Sequence, residues 1–179
     1  QELVMGRTFK DLIRTVPDFP KPGIQFRDIS TLLRDPWGFK QAVDAFVQHY
    51  RYQPIDKIIA IESRGFVMGG ALAHHLNAGF VMARKKGKLP GRVEKIEYDL
   101  EYGTDVIEMH IDAIDKGDRC LIVDDLLATG GTCDACCRLV EKLGGRIIGC
   151  AFMISLPDLK GYDRIKRYDC HWLCEFEGD

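Results

Sequence analysis

The chain has 179 residues, 46% of them hydrophobic, and a formal net charge of −2 at pH 7. This size fits a single α/β domain, residues 1–179, with a well-developed core. The near-neutral charge argues against nucleic acid or another polyanion as a partner, and no apolar run is long enough to span a membrane.

The seven cysteines are an odd number, and most of them fall in patterns typical of a protein core. Three share a helical pattern and two lie in apolar strand-like runs: Cys133, Cys136, Cys137, Cys120 and Cys150. Such positions indicate buried reduced thiols and therefore a cytoplasmic protein. The alternative is a zinc site made by Cys170, His171 and Cys174, which lacks a matching second pair of ligands.

Residues 9–16 carry apolar side chains at helical spacing, which predicts a short N-terminal helix. Prolines at positions 17, 20 and 22 then force an extended path, so the segment 17–30 is predicted to be a loop. The next helix has a clear start signal, because Asp35 suits the N-cap and Pro36 suits the first helical position.

A strand predicted at 57–61 and a helix predicted at about 66–76 are joined by the turn Glu62-Ser63-Arg64-Gly65. This order aims a helix N-terminus at the end of a strand, which is a good place for an anion. A third strand, at 79–83, leads into the basic run Arg84-Lys85-Lys86-Gly87-Lys88. Alone, such a run is typical of a solvated face or a nucleic-acid patch.

The region from 89 to 104 is polar and contains Gly91 and Gly103, so it is predicted to be a long loop. Long loops in compact domains often act as lids. Residues 106–111 alternate apolar and polar side chains, which predicts an edge strand. Glu101 lies near the end of the loop, but its residue type alone does not distinguish it from Glu94 or Glu97.

The most informative stretch spans residues 120–132. It begins with a short buried strand, continues with the acidic pair Asp124-Asp125 and the loop Thr129-Gly130-Gly131-Thr132, and opens a helix that Gly144 and Gly145 terminate. Backbone N–H groups at such a helix start suit a phosphate group. The two carboxylates would repel phosphate, but they suit ribose hydroxyls or a positive charge that develops at C1′.

This stretch resembles the phosphoribosyl-pyrophosphate (PRPP) motif of type I phosphoribosyltransferases. The segments Pro17-Asp18-Phe19-Pro20, Pro22-Gly23 and Phe26-Arg27-Asp28-Ile29 narrow the resemblance to the adenine phosphoribosyltransferase family. It extends over nearly the whole chain. Its strongest parts are residues 17–30, 62–66, 84–91, 101–103 and 121–132.

The alternation of strands and helices predicts an α/β fold, with a parallel-centred open sheet and helices on both faces. The resemblance implies a small hood that binds the base, residues 1–34, on a core of residues 35–179, together with a long flexible lid loop. It also implies a cis peptide bond between Glu62 and Ser63. The ligand site is expected at the carboxyl ends of the strands.

The resemblance also implies a role for each matching residue. The PRPP 5′-phosphate is expected at residues 128–132: Ala128, Thr129, Gly130, Gly131 and Thr132. Pyrophosphate is expected at Ser63, Arg64, Arg84 and Lys88, with Arg84 reaching into the neighbouring subunit's site. Adenine is expected at Gln25, Phe26, Arg27 and Leu126. The catalytic residues are expected to be Glu101, Asp124 and Asp125.

The activity implied is transfer of the 5-phosphoribosyl group from PRPP to adenine, in a homodimer with no nucleic-acid or membrane partner. Mg²⁺ is expected to bind through PRPP oxygens and water, because no cage of protein ligands is visible in the sequence. One alternative is the same transfer to hypoxanthine, xanthine or orotate, since Gln25 replaces an aliphatic residue. The other is a non-enzymatic regulator that binds PRPP.

Overall fold

A computed structural model describes residues 3–4, 6–100 and 102–178, so the predicted catalytic residue Glu101 lies outside the described residues. The strands are β1 Leu3–Val4, β2 Arg7–Thr8, β3 Arg14–Pro17, β4 Gln25–Asp28, β5 Lys57–Ile61, β6 Gly79–Lys85, β7 Val93–Asp99, β8 Thr104–His110, β9 Arg119–Leu127, β10 Arg146–Ser155 and β11 Cys170–Glu175. The helices are α1 Phe9–Leu12, α2 Ser30–Leu33, α3 Pro36–Tyr50, α4 Gly65–Leu76, α5 Gly131–Lys142 and α6 Tyr162–Ile165, with a 3₁₀ turn at Pro157–Leu159.

The main sheet has seven strands in the order β11-β10-β9-β5-β6-β8-β7. The first five run parallel, whereas β8 pairs antiparallel with both β6 and β7. All five parallel strands therefore end at the same edge. The predicted class, an α/β fold with a parallel-centred open sheet, is confirmed.

Helices cover both faces of this sheet. Consecutive residues of the central strands point to opposite faces, and in these strands both sets of side chains are apolar. Ile58 and Leu121 pack into the cluster that contains α3 and α4 residues. Their neighbours Ile59 and Ile122 pack into the cluster under α5. All four side chains are fully buried, which explains why these parallel strands are continuous apolar runs in the sequence.

The predicted start of the long helix α3 is confirmed. The Asp35 carboxylate accepts hydrogen bonds from the backbone N–H groups of Trp37 and Gly38, at 3.0 and 2.9 Å. Pro36 occupies the first turn, where its missing N–H group costs nothing. The predicted helix at 66–76 is also present, beginning one residue earlier at Gly65.

The N-terminal segment differs from the prediction. Helix α1 ends at Leu12, and the chain then forms an antiparallel hairpin, β3–β4, in place of the expected loop. Val16, assigned to the helix by its spacing, pairs instead with Phe26. The hairpin tolerates Pro17 because that residue ends its strand, where a lost N–H donor matters least.

The predicted long loop at 89–104 is also wrong in its main part. Val93–Asp99 forms β7, which pairs along its whole length with β8, so β8 is an inner strand and β7 is the edge. Ile96 and Tyr98 alternate with charged residues and point towards the core. The alternation of Ile96 and Tyr98 is too short to predict a strand among the charged residues that surround it. β7 ends at Asp99 and β8 begins at Thr104.

Candidate active site

The carboxyl ends of β5, β6 and β9 carry most of the predicted site residues. Asp124 and Asp125 lie within β9 near its carboxyl end, because the strand continues past them to Leu127. Gly65 begins α4 directly against this strand end, and a Cβ at that position would lie 2.9 Å from the Val123 carbonyl oxygen. The glycine thus lets the turn Glu62–Gly65 approach the acidic pair.

The loop after β9 leads into the N-terminus of α5, as predicted. Gly130 is the N-cap residue and has φ = +82°, a left-handed conformation that glycine adopts without a steric penalty. Residues 128–132 line a cavity of about 90 Å³ together with Asp124 and Leu126. The free N–H groups of the first helical turn and the helix dipole both favour an anion there.

A second segment supports this loop from below. The 3₁₀ turn and α6 bring Gly161 so close that a Cβ on it would lie 2.2 Å from the Ala128 carbonyl oxygen. In the opposite direction, a Cβ on Gly130 would lie 2.5 Å from the Gly161 carbonyl oxygen. The two glycines therefore allow the backbone at Gly161 to contact the backbone of the phosphate loop, and this contact fixes the position of the loop.

Arg64 connects three parts of the site. Its Nε donates to an Asp125 carboxylate oxygen at 2.5 Å, and its guanidinium lies 5.3 Å from the centre of the Phe26 ring. The Asp125 side chain is 9% exposed, whereas the Arg64 side chain is 48% exposed. The hood residue Phe26, the turn after β5 and the acidic pair are thus in direct contact.

The two carboxylates have different environments. Asp125 is paired with Arg64, whereas Asp124 accepts a hydrogen bond only from the Asp125 backbone N–H, at 2.8 Å, among the described residues. Burial raises the pKa of Asp124 well above its usual range, and the neighbouring Asp125 charge raises it further. A ligand that brings positive charge next to Asp124 would favour its ionised form.

The predicted adenine residues lie on or next to the hairpin. Phe26 is half-buried and makes an edge-to-face contact with Phe19, with ring centres 5.2 Å apart. Gln25 is half-buried one residue earlier on β4. The Arg27 side chain points elsewhere: it donates to the backbone carbonyls of residues 177 and 178 and to Thr15 Oγ1. Its side chain therefore ties the hairpin to the C-terminus.

The predicted pyrophosphate residues surround the ends of β5 and β6. The peptide between Glu62 and Ser63 is cis, as expected. Glu62 accepts hydrogen bonds from an Arg84 Nη at 3.3 Å and from the Lys85 backbone N–H at 2.6 Å. Arg84 Nε is buried and has no hydrogen-bond partner among the described residues. Lys88 is exposed in the turn after β6, apart from this network.

Sequence reasoning missed Tyr98 and Asp105. The Tyr98 hydroxyl lies 3.1 Å from Thr132 Oγ1 and 3.4 Å from an Asp105 carboxylate oxygen, so the β7–β8 hairpin contacts the first turn of α5. Burial raises the pKa of Tyr98. The alternation of Ile96 and Tyr98 was the one signal that could have placed this side chain towards α5.

Comparison with known proteins agrees with this geometry. The model of the phosphoribosyl transferase domain family matches residues 28–174. An adenine phosphoribosyltransferase of Methylobacillus flagellatus is 55% identical over 170 residues, which are 94% of this chain and 97% of that protein. The chain belongs to the adenine phosphoribosyltransferase family.

Solved structures of the family show the same architecture. The crystal structure of an adenine phosphoribosyltransferase from Rhodothermus marinus matches with a TM-score of 0.90 and 54% identity, over 94% of this chain and 96% of that chain. The Saccharomyces cerevisiae enzyme, crystallised with D-2,5-dideoxy-2,5-imino-altritol 1,6-bisphosphate and adenine, matches with a TM-score of 0.87 and 38% identity, over 92% and 96% of the two chains. The family model begins at residue 28, but these longer matches include most of the N-terminal segment.

Proposed function

We propose that this chain transfers the 5-phosphoribosyl group from PRPP to adenine and releases AMP and pyrophosphate, a reaction of purine salvage. The observation that carries the proposal is the position of three features at one sheet edge. An aromatic hairpin residue and an acidic pair meet through the side chain of Arg64, and the strand that carries the acidic pair leads into a glycine-rich helix start. A flat base, a ribose and a phosphate group each find a suitable surface there.

The 5′-phosphate of PRPP is assigned to residues 128–132. The backbone N–H groups at the start of α5 supply donors, and the exposed hydroxyl of Thr129 adds another. Thr132 shares its hydroxyl with Tyr98 and remains half-buried. Gly130 and Gly131 leave the backbone bare, so that phosphate oxygens can come within hydrogen-bond distance.

The ribose is assigned to Asp124 and Asp125. When N9 of adenine displaces pyrophosphate at C1′, the bond to the leaving group breaks ahead of the new bond and the sugar gains positive charge. Two carboxylates fixed at the strand end stabilise that charge without having to reorganise. The same oxygens accept hydrogen bonds from the ribose hydroxyls.

Pyrophosphate is assigned to Ser63, Arg64, Arg84 and Lys88. Arg64 is half-exposed beside the acidic pair, so its guanidinium is accessible to an incoming phosphate group. Guanidinium groups bind phosphate oxygens in pairs, and a lysine adds a mobile positive charge. Ser63 is exposed at the turn and offers a hydroxyl donor.

Adenine is assigned to the hood, residues 1–34, above the core of residues 35–179. Phe26 provides an apolar face for the purine, and Leu126 lines the floor next to Asp124. Main-chain groups of Gln25 and Arg27 read the edge of the base, which leaves the Arg27 side chain free to anchor the hairpin. Glu101 accepts the N7 proton as N9 bonds to the sugar.

Mg²⁺ is assigned to PRPP oxygens and water. Asp124 lines the cavity at the phosphate loop, and the neighbouring Asp125 is already paired with Arg64. Magnesium commonly retains several waters and substrate oxygens with one or two carboxylates at most, so this donor set fits. The ion would neutralise part of the pyrophosphate charge, while the protein residues orient the sugar.

A homodimer is also part of the proposal. Val67, Phe80 and Met82 are exposed apolar side chains on α4 and β6, and Gly70 leaves open space beside them. This face adjoins Arg84, which stands at the end of β6.

A reducing compartment such as the cytoplasm suits the seven free cysteines. Among the described residues no helix is long and apolar enough to cross a membrane.

Subunit mixing tests whether Arg84 acts in the neighbouring site. An Arg84→Ala subunit is combined with an Asp125→Asn subunit after each is shown to be inactive alone. If Arg84 acts across the interface, a mixed dimer regains one intact site and part of the activity. If subunit exchange occurs and no activity returns, Arg84 acts within its own subunit.

The activity itself is tested with a panel of bases. Purified protein is incubated with PRPP, Mg²⁺ and adenine, hypoxanthine, xanthine or orotate, and the nucleotide product is measured. Turnover with adenine well above the other bases supports the proposal. Preference for another base would make Gln25 a residue that changes specificity, and PRPP binding without turnover of any base would contradict an enzymatic function.

A further inference from the structure

A cluster of cysteine side chains lies on the face of the sheet under α5, behind the phosphate loop. Cys133 and Cys137 are one turn apart on the buried side of α5, and Cys150 faces them from β10. All three are buried, and their sulfur atoms lie within 4.8 Å of one another. The reaction proposed above makes no use of them. We call Cys133, Cys137 and Cys150 the thiol cluster.

A fourth cysteine stands beside the cluster. Cys170 on β11 is the direct register partner of Cys150 in the parallel pair β10–β11, so both side chains leave the sheet on the same face. Cys170 is half-buried, whereas the other three are not accessible. Its sulfur points towards the backbone carbonyls of Ile165 and Tyr168, at 3.6 and 3.5 Å. It therefore marks the side from which an ion could reach the cluster.

The spacing of the sulfur atoms fits a metal–thiolate site. Zinc–sulfur bonds are about 2.3 Å long, so the edge of a tetrahedral thiolate site is about 3.8 Å. The sulfur atoms of Cys137 and Cys150 are 3.7 Å apart. Little movement is then needed to place one ion between them. Thiolate ligands without carboxylates or waters select thiophilic ions such as Zn²⁺ and Cu⁺.

A positively charged side chain, Arg167, lies near Cys137. Arg167 is itself held by Asp134 and by the Arg164 carbonyl. A positive side chain at this point offsets the net negative charge that several thiolates around one cation would carry.

From this geometry we propose that the thiol cluster binds one thiophilic d¹⁰ cation, Zn²⁺ or Cu⁺, with Cys170 as the fourth ligand in the zinc form. Each coordinating thiol releases its proton to the solvent as the sulfur–metal bond forms, and no oxidation is involved. The bound ion would cross-link α5 to β10 and β11. Since the phosphate loop leads directly into α5 and Cys133 lies in the first turn of that helix, the ion would stiffen the helix start on which the loop depends.

Metal titration of the full chain tests the proposal. The protein is stripped with a chelator, kept anaerobic with a non-thiol reductant, and titrated separately with Zn²⁺ and Cu⁺ against a coloured competitor. Cd²⁺ serves as a spectroscopic probe, because cadmium–thiolate bonds give a charge-transfer absorption. We expect one ion per chain, with the sulfur charge-transfer band.

Cysteine variants identify the ligands. Cys133→Ala, Cys137→Ala and Cys150→Ala should each weaken binding by more than the roughly 10–100-fold that the loss of an outer-shell partner costs. Cys136→Ala is the matched control, since it removes a buried thiol from the same helix outside the cluster. Circular dichroism and Tm of the metal-free variants show whether each one folds. With three ligand variants, misfolding of one leaves the others to decide.

Two results would overturn the proposal: wild-type protein that binds no ion under these conditions, or cluster variants that bind as tightly as Cys136→Ala. Cys170→Ala tests the coordination number. Loss of tight Zn²⁺ binding in this variant supports a four-thiolate site, and unchanged binding of Zn²⁺ excludes Cys170 as a ligand.

Discussion

Replacing Gly161 by alanine should impair PRPP use although Gly161 is not assigned to any ligand. Its backbone is helical, with φ = −61° and ψ = −32°, so alanine is compatible with the local conformation. The added Cβ would lie 2.2 Å from the Ala128 carbonyl oxygen, whereas ordinary contacts begin at 3.4 Å. The phosphate loop must therefore shift by about 1 Å, and a misplacement of that size can cost about 100-fold in rate.

The effect should be visible in kcat/KM for PRPP, where about 100-fold corresponds to about 2.7 kcal/mol of transition-state stabilisation. The KM for PRPP should rise more than the KM for adenine, because the 5′-phosphate is assigned to this loop. Initial rates at varied PRPP and at varied adenine separate the two. Wild-type kinetics and wild-type Tm in Gly161→Ala would refute the idea that the contact between the Gly161 and Ala128 backbones fixes the position of the phosphate loop.

Two further glycines separate steric contact from backbone conformation. Gly117 has φ = +84° and open space where a Cβ would stand, remote from the site. Gly117→Ala should cost only the left-handed conformation, about 1–2 kcal/mol, and lower Tm by about 2–8 °C, with unchanged kinetics. Gly130→Ala combines φ = +82° with a Cβ 2.5 Å from the Gly161 carbonyl oxygen, so both stability and PRPP use should fall.

Three predictions concern the carboxylates. Asp125→Asn should fold but lose much of its kcat, because it cannot balance Arg64 or the sugar charge; wild-type turnover would exclude that role. Asp124→Asn should also lose turnover but raise Tm at pH 7. The folded-state pKa of Asp124 is raised above its ordinary value of 3.8, so the wild-type protein loses stability relative to the variant as pH rises above about 4; equal Tm values from pH 3 to pH 7 would contradict this. Glu101→Gln should lower kcat by about 10²–10⁴-fold with PRPP binding intact. Glu94→Gln and Glu97→Gln are the controls, and Glu94 is paired with Lys142. Loss of turnover in a control variant, with normal turnover in Glu101→Gln, would refute the assignment of Glu101 as the group that accepts the N7 proton.

The layered part of the fold was readable from the sequence because its signals are local. Strands such as Lys57–Ile61 are continuous apolar runs, and helices such as α3 carry their own cap. The hairpins β3–β4 and β7–β8 were not predicted because each strand is stabilised by pairing with the other strand of its hairpin and not by its own sequence pattern. Val16 pairs with Phe26 and Ile96 pairs with Ile107, and those contacts outweigh the turn and charge signals of each segment by itself.

The site divides in the same way. Asp124, Asp125 and the loop to Thr132 are contiguous, so their chemistry could be predicted together. The Arg64–Asp125 pair joins residues 61 positions apart, and only the parallel order β6-β5-β9 brings them together. The close backbone contact between Gly130 and Gly161 depends equally on tertiary packing, and no local pattern around Gly161 predicts it.

The ion pair between Arg64 and Asp125 means that two of the proposed ligand-binding groups neutralise each other. Under the proposed assignment, pyrophosphate would replace Asp125 as the partner of Arg64, and ribose would replace Arg64 as the partner of Asp125. Substrate binding is then an exchange of partners in which few charges become newly neutralised, so its dependence on ionic strength should be weaker than the number of basic residues suggests. Under the proposed assignment, Asp125 would compete with the product pyrophosphate for the same guanidinium and would thereby favour its release.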